Sequence, residues 1–250
     1  MHLTPLHFMR PSALIARVPR VRAAHDEVHV WAFLLEDVEE ARVQCERLLS
    51  ADELARGRRF HHQHHQVAFI FAHGLMRHLL GAYCESDPAG LEFAAGEFGK
   101  PSLVSKQVSF NLSHSHGRAL LAVSVGREVG VDIERENART DALGIASSYF
   151  HGSELDAIRD APADLRTVTF FRFWAAKEAV IKAQGSGLYA PLDSFHVRFG
   201  DDRATAHVDV LDESRVSKGW FVRRLGCEPG WHAAVAASSD GWRLRVMHEA

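Results

Sequence analysis

Helix-like segments crowd the first half of this chain and strand-like segments close it, with no regular strand–helix–strand alternation between them. That order excludes a doubly wound parallel sheet and predicts an α+β fold. The run Val28–Leu35, rich in branched and aromatic residues, reads as a first strand. Asp52–Phe60 follows as a helix, with Ser50 placed to cap it and Arg56, Arg58 and Arg59 at its basic end. In His64–Leu80, Val67, Phe71, Leu75 and Leu79 recur at helical spacing. Val108–Leu112 and Ala119–Val125 read as strands around a polar loop at Ser113–His116, and Val129–Glu134 as another. A short helix capped by Ser153 precedes the longest expected helix, Ala163–Gln184, which Gly185-Ser186-Gly187 stops. Strands are then expected at Phe195–Phe199, Ala206–Leu211, Trp220–Leu225 and Trp231–Ala237, with Trp242–Val246 as a fifth. Each half mixes strands with helices. Two lobes are therefore expected, 26–125 and 126–250, with an N-terminal extension over 1–25. Arg10, Arg17, Arg20 and Arg22, interrupted by Pro5, Pro11 and Pro19, make that extension a loosely ordered segment rather than a cleaved targeting signal.

Composition narrows the function. Of 250 residues, 46% are hydrophobic and 24% charged, as in an ordinary globular protein. No run approaches the ~18 continuous apolar residues of a membrane span. Lys and Arg (29) nearly balance Asp and Glu (32), so bulk charge offers no nucleic-acid footprint and any anion site must be local. Three scattered cysteines, Cys45, Cys84 and Cys227, form no CxxC pair, which points to a reducing cytoplasm.

The most informative strand is Val129-Gly130-Val131-Asp132-Ile133-Glu134. Alternation puts the three branched residues on one face and Gly130, Asp132 and Glu134 on the other. Two carboxylates on one face repel unless a cation lies between them, and oxygen-only donors favour magnesium over zinc. The bland alternative is a solvated strand end. On the long helix, Trp174, Glu178 and Lys182 recur every four residues among Phe170, Phe171, Phe173, Val180 and Ile181. Charges in such apolar company need partners or a task. Acids holding magnesium and lysines neutralising a leaving group together suit a diphosphate substrate.

Gly130–Glu134 followed by Phe173-Trp174-Ala175-Ala176-Lys177-Glu178-Ala179-Val180-Ile181-Lys182 resembles the paired signature of the 4′-phosphopantetheinyl transferases. It is most similar to their monomeric, two-lobed class, typified by the surfactin synthetase activator. Gly99-Lys100-Pro101, Phe110-Asn111-Leu112-Ser113-His114-Ser115, Pro191-Leu192-Asp193-Ser194-Phe195 and Gly230-Trp231-His232 are similar to further family segments in the same order. The resemblance runs from about Val28 to the C-terminus.

The resemblance implies two similar α/β lobes related by pseudo-twofold symmetry, with coenzyme A in the cleft between them. It implies transfer of 4′-phosphopantetheine to a serine of an apo acyl or peptidyl carrier protein, releasing adenosine 3′,5′-bisphosphate. The carrier would serve polyketide, nonribosomal peptide or fatty-acid synthesis. Asp132, Glu134 and Glu178 are implied as ligands of magnesium, or manganese, and Glu178, Lys182 and Asp132 as the catalytic set. Arg56, Lys100, Pro101, Ser113, His114, Lys177 and Lys182 are implied as coenzyme A contacts. A cytoplasmic monomer is expected, with no membrane or nucleic-acid partner.

Some positions depart from the family pattern. Glu53, His65 and Ala68 stand where relatives carry other charges, which weakens the expected grip of Arg56 on the 3′-phosphate. Arg135 and Arg139 are candidate contacts for an acidic carrier. The cluster His61, His62, His64 and His65 reads as a polar helix start rather than a zinc site, which needs convergent, oriented ligands. Two other readings remain for the same residues: a metal-dependent hydrolase of coenzyme A or a related diphosphate, and a non-catalytic binder of carrier or coenzyme A.

Overall fold

The computed structural model describes residues 3–17, 21–36, 38–187, 191–200, 204–212, 214, 216–217 and 219–248; of the segments read above, Pro19 and Arg20 lie outside them. The first half runs α1 (Pro11–Ile15), β1 (Glu27–Leu34), α2 (Glu39–Leu48), α3 (Ala51–Arg58), α4 (Gln63–Cys84), the hairpin β2 (Phe93–Ala95) and β3 (Pro101–Leu103), β4 (Ser109–Ser115) and β5 (Arg118–Ser124). The second runs β6 (Val129–Arg135), α5 (Ala142–Tyr149), α6 (Gly152–Asp160), α7 (Arg166–Gln184), β7 (Phe195–Phe199), β8 (Thr205–Val210), β9 (Trp220–Leu225), β10 (Trp231–Ser238) and β11 (Arg243–Val246). Helices and sheets mix in both halves, which is the expected α+β class.

Two main sheets carry the fold, ordered β11-β1-β5-β4 and β6-β10-β9-β8-β7. Strand alternation sorts their side chains into layers. Val28, Val30, Ala32, Leu120 and Ala122 of the first sheet meet Val129, Val131, Ile133 and Val235 of the second in one buried cluster. On the opposite faces, α4 covers Trp31, Phe33 and Leu121, while α7 with α5 and α6 covers Ala234, Ala236, Val222 and Phe195. The layers are therefore helix, sheet, sheet, helix. Helix α4 has the length and apolar character of a membrane span. Its Phe71, Leu75, Leu79 and Leu80 instead fill the first core, as a buried helix requires.

The sheets also touch edge to edge. β6 pairs with β10 on one side only, and its other edge is met by side chains of β4. Asn111 Oδ1 accepts the Val131 N–H at 2.9 Å, and Ser113 Oγ accepts that of Ile133 at 3.4 Å. These bonds occupy donors that an open sheet edge would leave buried and unpaired.

Several elements differ from expectation. Ser113–Ser115 continues β4 rather than forming a loop, because each residue pairs with β5, Ser113 opposite Leu120 and His114 opposite Ala119. Helix α4, with 22 residues, is longer than α7, with 19, because α4 runs on to Cys84 and Ala163–Leu165 forms a separate 3₁₀ turn before α7. His151, not Ser153, caps α6, its Nδ1 accepting the Ser153 N–H while Glu154 accepts the His151 N–H. Ser50 caps α3 as read, in a reciprocal box with Glu53. Strand β11 leaves the second half and pairs parallel with β1. The N-terminal segment, read as loose, docks: the Met9 N–H donates to Ala32 O, Leu6 N–H donates to Gly226 O, and Met9 and Leu14 are buried. Burying those side chains, together with Leu6 and Phe8 at the inter-sheet cluster, offsets the ordering cost.

Candidate active site

Gly130, Asp132 and Glu134 share the face of β6 turned toward α7, as alternation implied. This face is no solvated strand end. A Cβ built on Gly130 would lie 2.2 Å from both Ala179 O and Ala183 N. Only glycine lets the backbone of α7 approach this closely. The neighbouring strand assists, with Ala234 opposite Asp132 and Ala236 opposite Gly130. The close approach brings Glu178 and Lys182, one turn apart on α7, over the acids of β6.

Asp132 is 1% exposed. Its Oδ1 accepts hydrogen bonds from Lys182 Nζ and, at 2.9 Å, from Ser113 Oγ. Lys182 Nζ also donates to Ser113 Oγ at 3.0 Å. Asp132 Oδ2 is buried without a hydrogen-bond partner among the described residues. Glu134, bonded by Ser115 Oγ at 3.3 Å, is pushed up to about 7, first by burial and then by the charge of Asp132. Burial also raises Glu178, with Asp132 adding to the effect. For Lys182 burial disfavours the charge, but Asp132, Glu178 and Glu134 outweigh it and raise its pKa. Three crowded carboxylates thus share one ammonium group, and they favour additional positive charge.

That donor set fits a divalent cation: oxygen ligands only, one orphaned buried carboxylate oxygen, and a neighbour driven toward protonation for want of a counter-charge. Among the described residues no three acidic, histidine or cysteine side chains are grouped so that they could hold a metal ion by themselves. Ligands from a substrate would have to complete the set.

The first half supplies a second wall. His114 lies on β4 next to Ser113, and its pKa is lowered by burial, then by Lys182 and His65. Burial lowers His73 to about 4 against the opposing charge of Glu53, with Arg56, His114 and Arg77 adding to the drop. Its ring stacks on Phe69 at 4.0 Å. Arg56, His73, His114 and Lys182 therefore neighbour one another across the junction of the two sheets, with the charge carried by Arg56 and Lys182 and the two imidazoles held neutral by burial. Sequence reading missed His73; its only signal is its place one turn after Phe69 and one turn before Arg77. Glu53 does not spoil this grouping. It accepts from Arg77 Nε at 2.9 Å, and that guanidinium is otherwise held by the carbonyls of Pro88 and Leu91.

Three expected contacts stand elsewhere. Lys177 is 0% exposed and faces away from the acids, bound to Glu154 and to Phe195 O. One residue along a helix turns the side chain by about 100°, so Lys177 and Glu178 cannot serve one cluster. Its reading as a phosphate contact is corrected. Lys100, from the turn where Gly99 adopts φ 84, is drawn to the end of α7. Its Nζ donates to Ala183 O at 2.6 Å, Val129 O at 3.2 Å and Glu128 at 2.8 Å. Pro101 starts β3 beside it and is exposed. Both line a cavity of about 500 Å³ with Phe110, Glu128 and Ser186. Of the histidine cluster, His62 stacks on His64 at the exposed start of α4, while His65 meets His62 edge-on and His64 at a tilt.

A buried Asp132, two half-buried glutamates and a lysine thus gather at a glycine-dependent strand–helix contact. A model of the 4′-phosphopantetheinyl transferase superfamily matches residues 128–236, which span β6, α7 and β10. Across 238 residues the chain is 30% identical to the 4′-phosphopantetheinyl transferase HetI of Nostoc sp., covering 94% of this chain and 97% of that protein. It is 31% identical over 207 residues to a 4′-phosphopantetheinyl transferase of Bacillus subtilis, 80% of this chain and 89% of that protein. Sfp of the same species is 28% identical over 191 residues, 76% of this chain and 82% of Sfp. The chain belongs to the 4′-phosphopantetheinyl transferase family and is an enzyme of that class.

Proposed function

We propose that this enzyme moves 4′-phosphopantetheine from coenzyme A to a serine hydroxyl of an apo acyl or peptidyl carrier protein. The observation that carries this reading is Asp132: one oxygen held by Lys182 and Ser113, the other buried and unpaired, beneath Glu178. The acceptor oxygen attacks the phosphorus bearing the pantetheine, and that phosphorus loses its bond to the bridging oxygen. The bridging oxygen departs on adenosine 3′,5′-bisphosphate.

Lys182, 30% exposed, can turn from Asp132 to the departing oxygen and neutralise its growing charge. Glu178, whose raised pKa favours taking up a proton, receives the serine proton directly or through a water. Ser113 and His114 line the path of the diphosphate, and Arg56 with His73 faces the 3′-phosphate. Held by Asp132, Glu134 and Glu178, magnesium or manganese would supply charge neutralisation at the diphosphate. Positioning and neutral charge balance then account for most of the catalysis, as in phosphoryl transfer generally. One chain supplies every group, which supports a monomer, and we read it as cytoplasmic. Arg135 and Arg139, both exposed past the end of the acidic face, suit an acidic carrier.

The test is intact-protein mass spectrometry of an apo carrier incubated with the enzyme, coenzyme A and magnesium. A gain of one phosphopantetheine, matched by released adenosine 3′,5′-bisphosphate and abolished by a chelator, is expected. Coenzyme A consumed without carrier modification would identify a hydrolase. Intact coenzyme A and unmodified carriers would identify a non-catalytic binder.

A further inference from the structure

Helix α7 meets the second sheet through alanines. Ala175, Ala176, Ala179 and Ala183 are all buried, and Gly130 lies beneath the last two. This smooth stretch brings the backbones together, while beside it Phe171 stacks on His232 and Phe173 packs against Phe199. Rotation about the helix axis is fixed by these rings together with directional bonds.

Those bonds are supplied one residue before Glu178. Lys177 Nζ donates to Glu154 Oε1 at 2.8 Å, to Oε2 at 2.7 Å and to Phe195 O at 2.8 Å. Glu154 in turn accepts the backbone N–H of Val197 at 2.8 Å and of His151 at 3.1 Å. Both charged side chains are 0% exposed. The ammonium also sits 4.3 Å from the Phe195 ring centre and 5.4 Å from that of Phe150. One ion pair thus ties α7 to the start of α6 and to the backbone of β7, and every donor and acceptor in it is used.

We propose that Lys177, through Glu154, is a positioning residue that sets the rotation of α7 and so aims Glu178 and Lys182 at Asp132. The kinetic consequence rests on the transferase reading above; the structural one does not. A side chain ends about 5–6 Å from the helix axis, so a 20° turn displaces it by about 2 Å. A misplacement near 1 Å is enough to cost about 10²-fold in rate.

The single variant Lys177→Met leaves a buried carboxylate uncompensated and is expected to unfold readily. The informative protein is the double variant Lys177→Met/Glu154→Gln, which removes both charges and keeps an acceptor for the Val197 N–H. Its melting temperature is expected within a few degrees of wild type. Its kcat is expected to fall about 10- to 100-fold with KM for coenzyme A within threefold. Hydrogen exchange of α7 amides is expected to quicken at least tenfold while β9 and β10 keep wild-type protection. A kcat within twofold of wild type in a well-folded double variant would overturn the proposal. A tenfold rise in KM at unchanged kcat would do so too, by returning Lys177 to a phosphate contact. Exchange reads α7 whatever the reaction. A wild-type protein without transferase activity would sink the proposed function, whereas wild-type exchange in the variant's α7 would sink this one.

Discussion

Gly130→Ala tests the strand–helix contact on which the site depends. Gly130 has no positive φ, so any penalty comes from space rather than from backbone strain. The added Cβ would lie 2.2 Å from Ala179 O and Ala183 N, where ordinary contact begins at 3.4 Å. These two atoms are also partners in one turn of α7, so the methyl would wedge into a helical hydrogen bond. Neither atom can rotate away, and α7 must retreat by about 1 Å. Overpacking of this kind costs about 1–3 kcal/mol, and two backbone partners place this case near ~3 kcal/mol. For a chain of this size that is a fall of roughly 6–12 °C in melting temperature. The retreat would also carry Glu178 and Lys182 from Asp132, with a loss of about 10²-fold in transfer rate. Differential scanning calorimetry and carrier transfer, run beside Gly152→Ala, would check both. The latter is a control, because a Cβ there meets nothing within 4 Å. Full activity and an unchanged melting temperature in Gly130→Ala would refute the close-approach account.

Three further outcomes follow from the same geometry. Asn111→Leu leaves the buried Val131 N–H without an acceptor and should cost about 1–3 kcal/mol in chemical denaturation. Glu27 is held at about 2, first by the hydrogen bond from His29, then by the Ala24 N–H, with burial opposing and Arg245 assisting. Its folded pKa lies below the ordinary 4.5, so its stabilisation is complete above about pH 4.5 and fades as pH falls toward 2. Glu27→Gln should therefore flatten the acid limb of stability against pH, and an unchanged limb would contradict the assignment. Arg56→Ala should raise KM for coenzyme A while leaving that for dephospho-coenzyme A nearly unchanged; equal effects on both would show that Arg56 does not face the 3′-phosphate.

Much of this site was legible in the sequence because it lies on regular elements. Period two on β6 placed Gly130, Asp132 and Glu134 together, and period four on α7 placed Glu178 with Lys182. Local period does not say what faces what. Lys177 looked like a second phosphate lysine, yet its partner Glu154 is 23 residues away in sequence and on another helix. His73 sat inside an apolar helix, off the stripe of Val67, Phe71, Leu75 and Leu79 that the periodicity marked. Ser113 looked like a loop residue, because polar side chains in an edge strand break the apolar signal that marks a strand. The N-terminal segment was misread for a related reason. Its order comes from pairing with Gly226 and Phe33, far along the chain, and no local pattern encodes such a contact. Strand β11 likewise looked like one more strand of the final run, although it joins the opposite sheet.

The central claim is that the Asp132 cluster exists for chemistry rather than for stability. An orphaned carboxylate oxygen in a crowded acid cluster is a cost to folding that only a task would preserve. The most direct measurement pairs melting temperature with carrier transfer in Asp132→Asn. The account predicts a melting temperature equal to or above wild type together with transfer reduced at least about 10²-fold. Transfer within a few-fold of wild type, or a loss of activity that merely tracks a loss of fold, would contradict it.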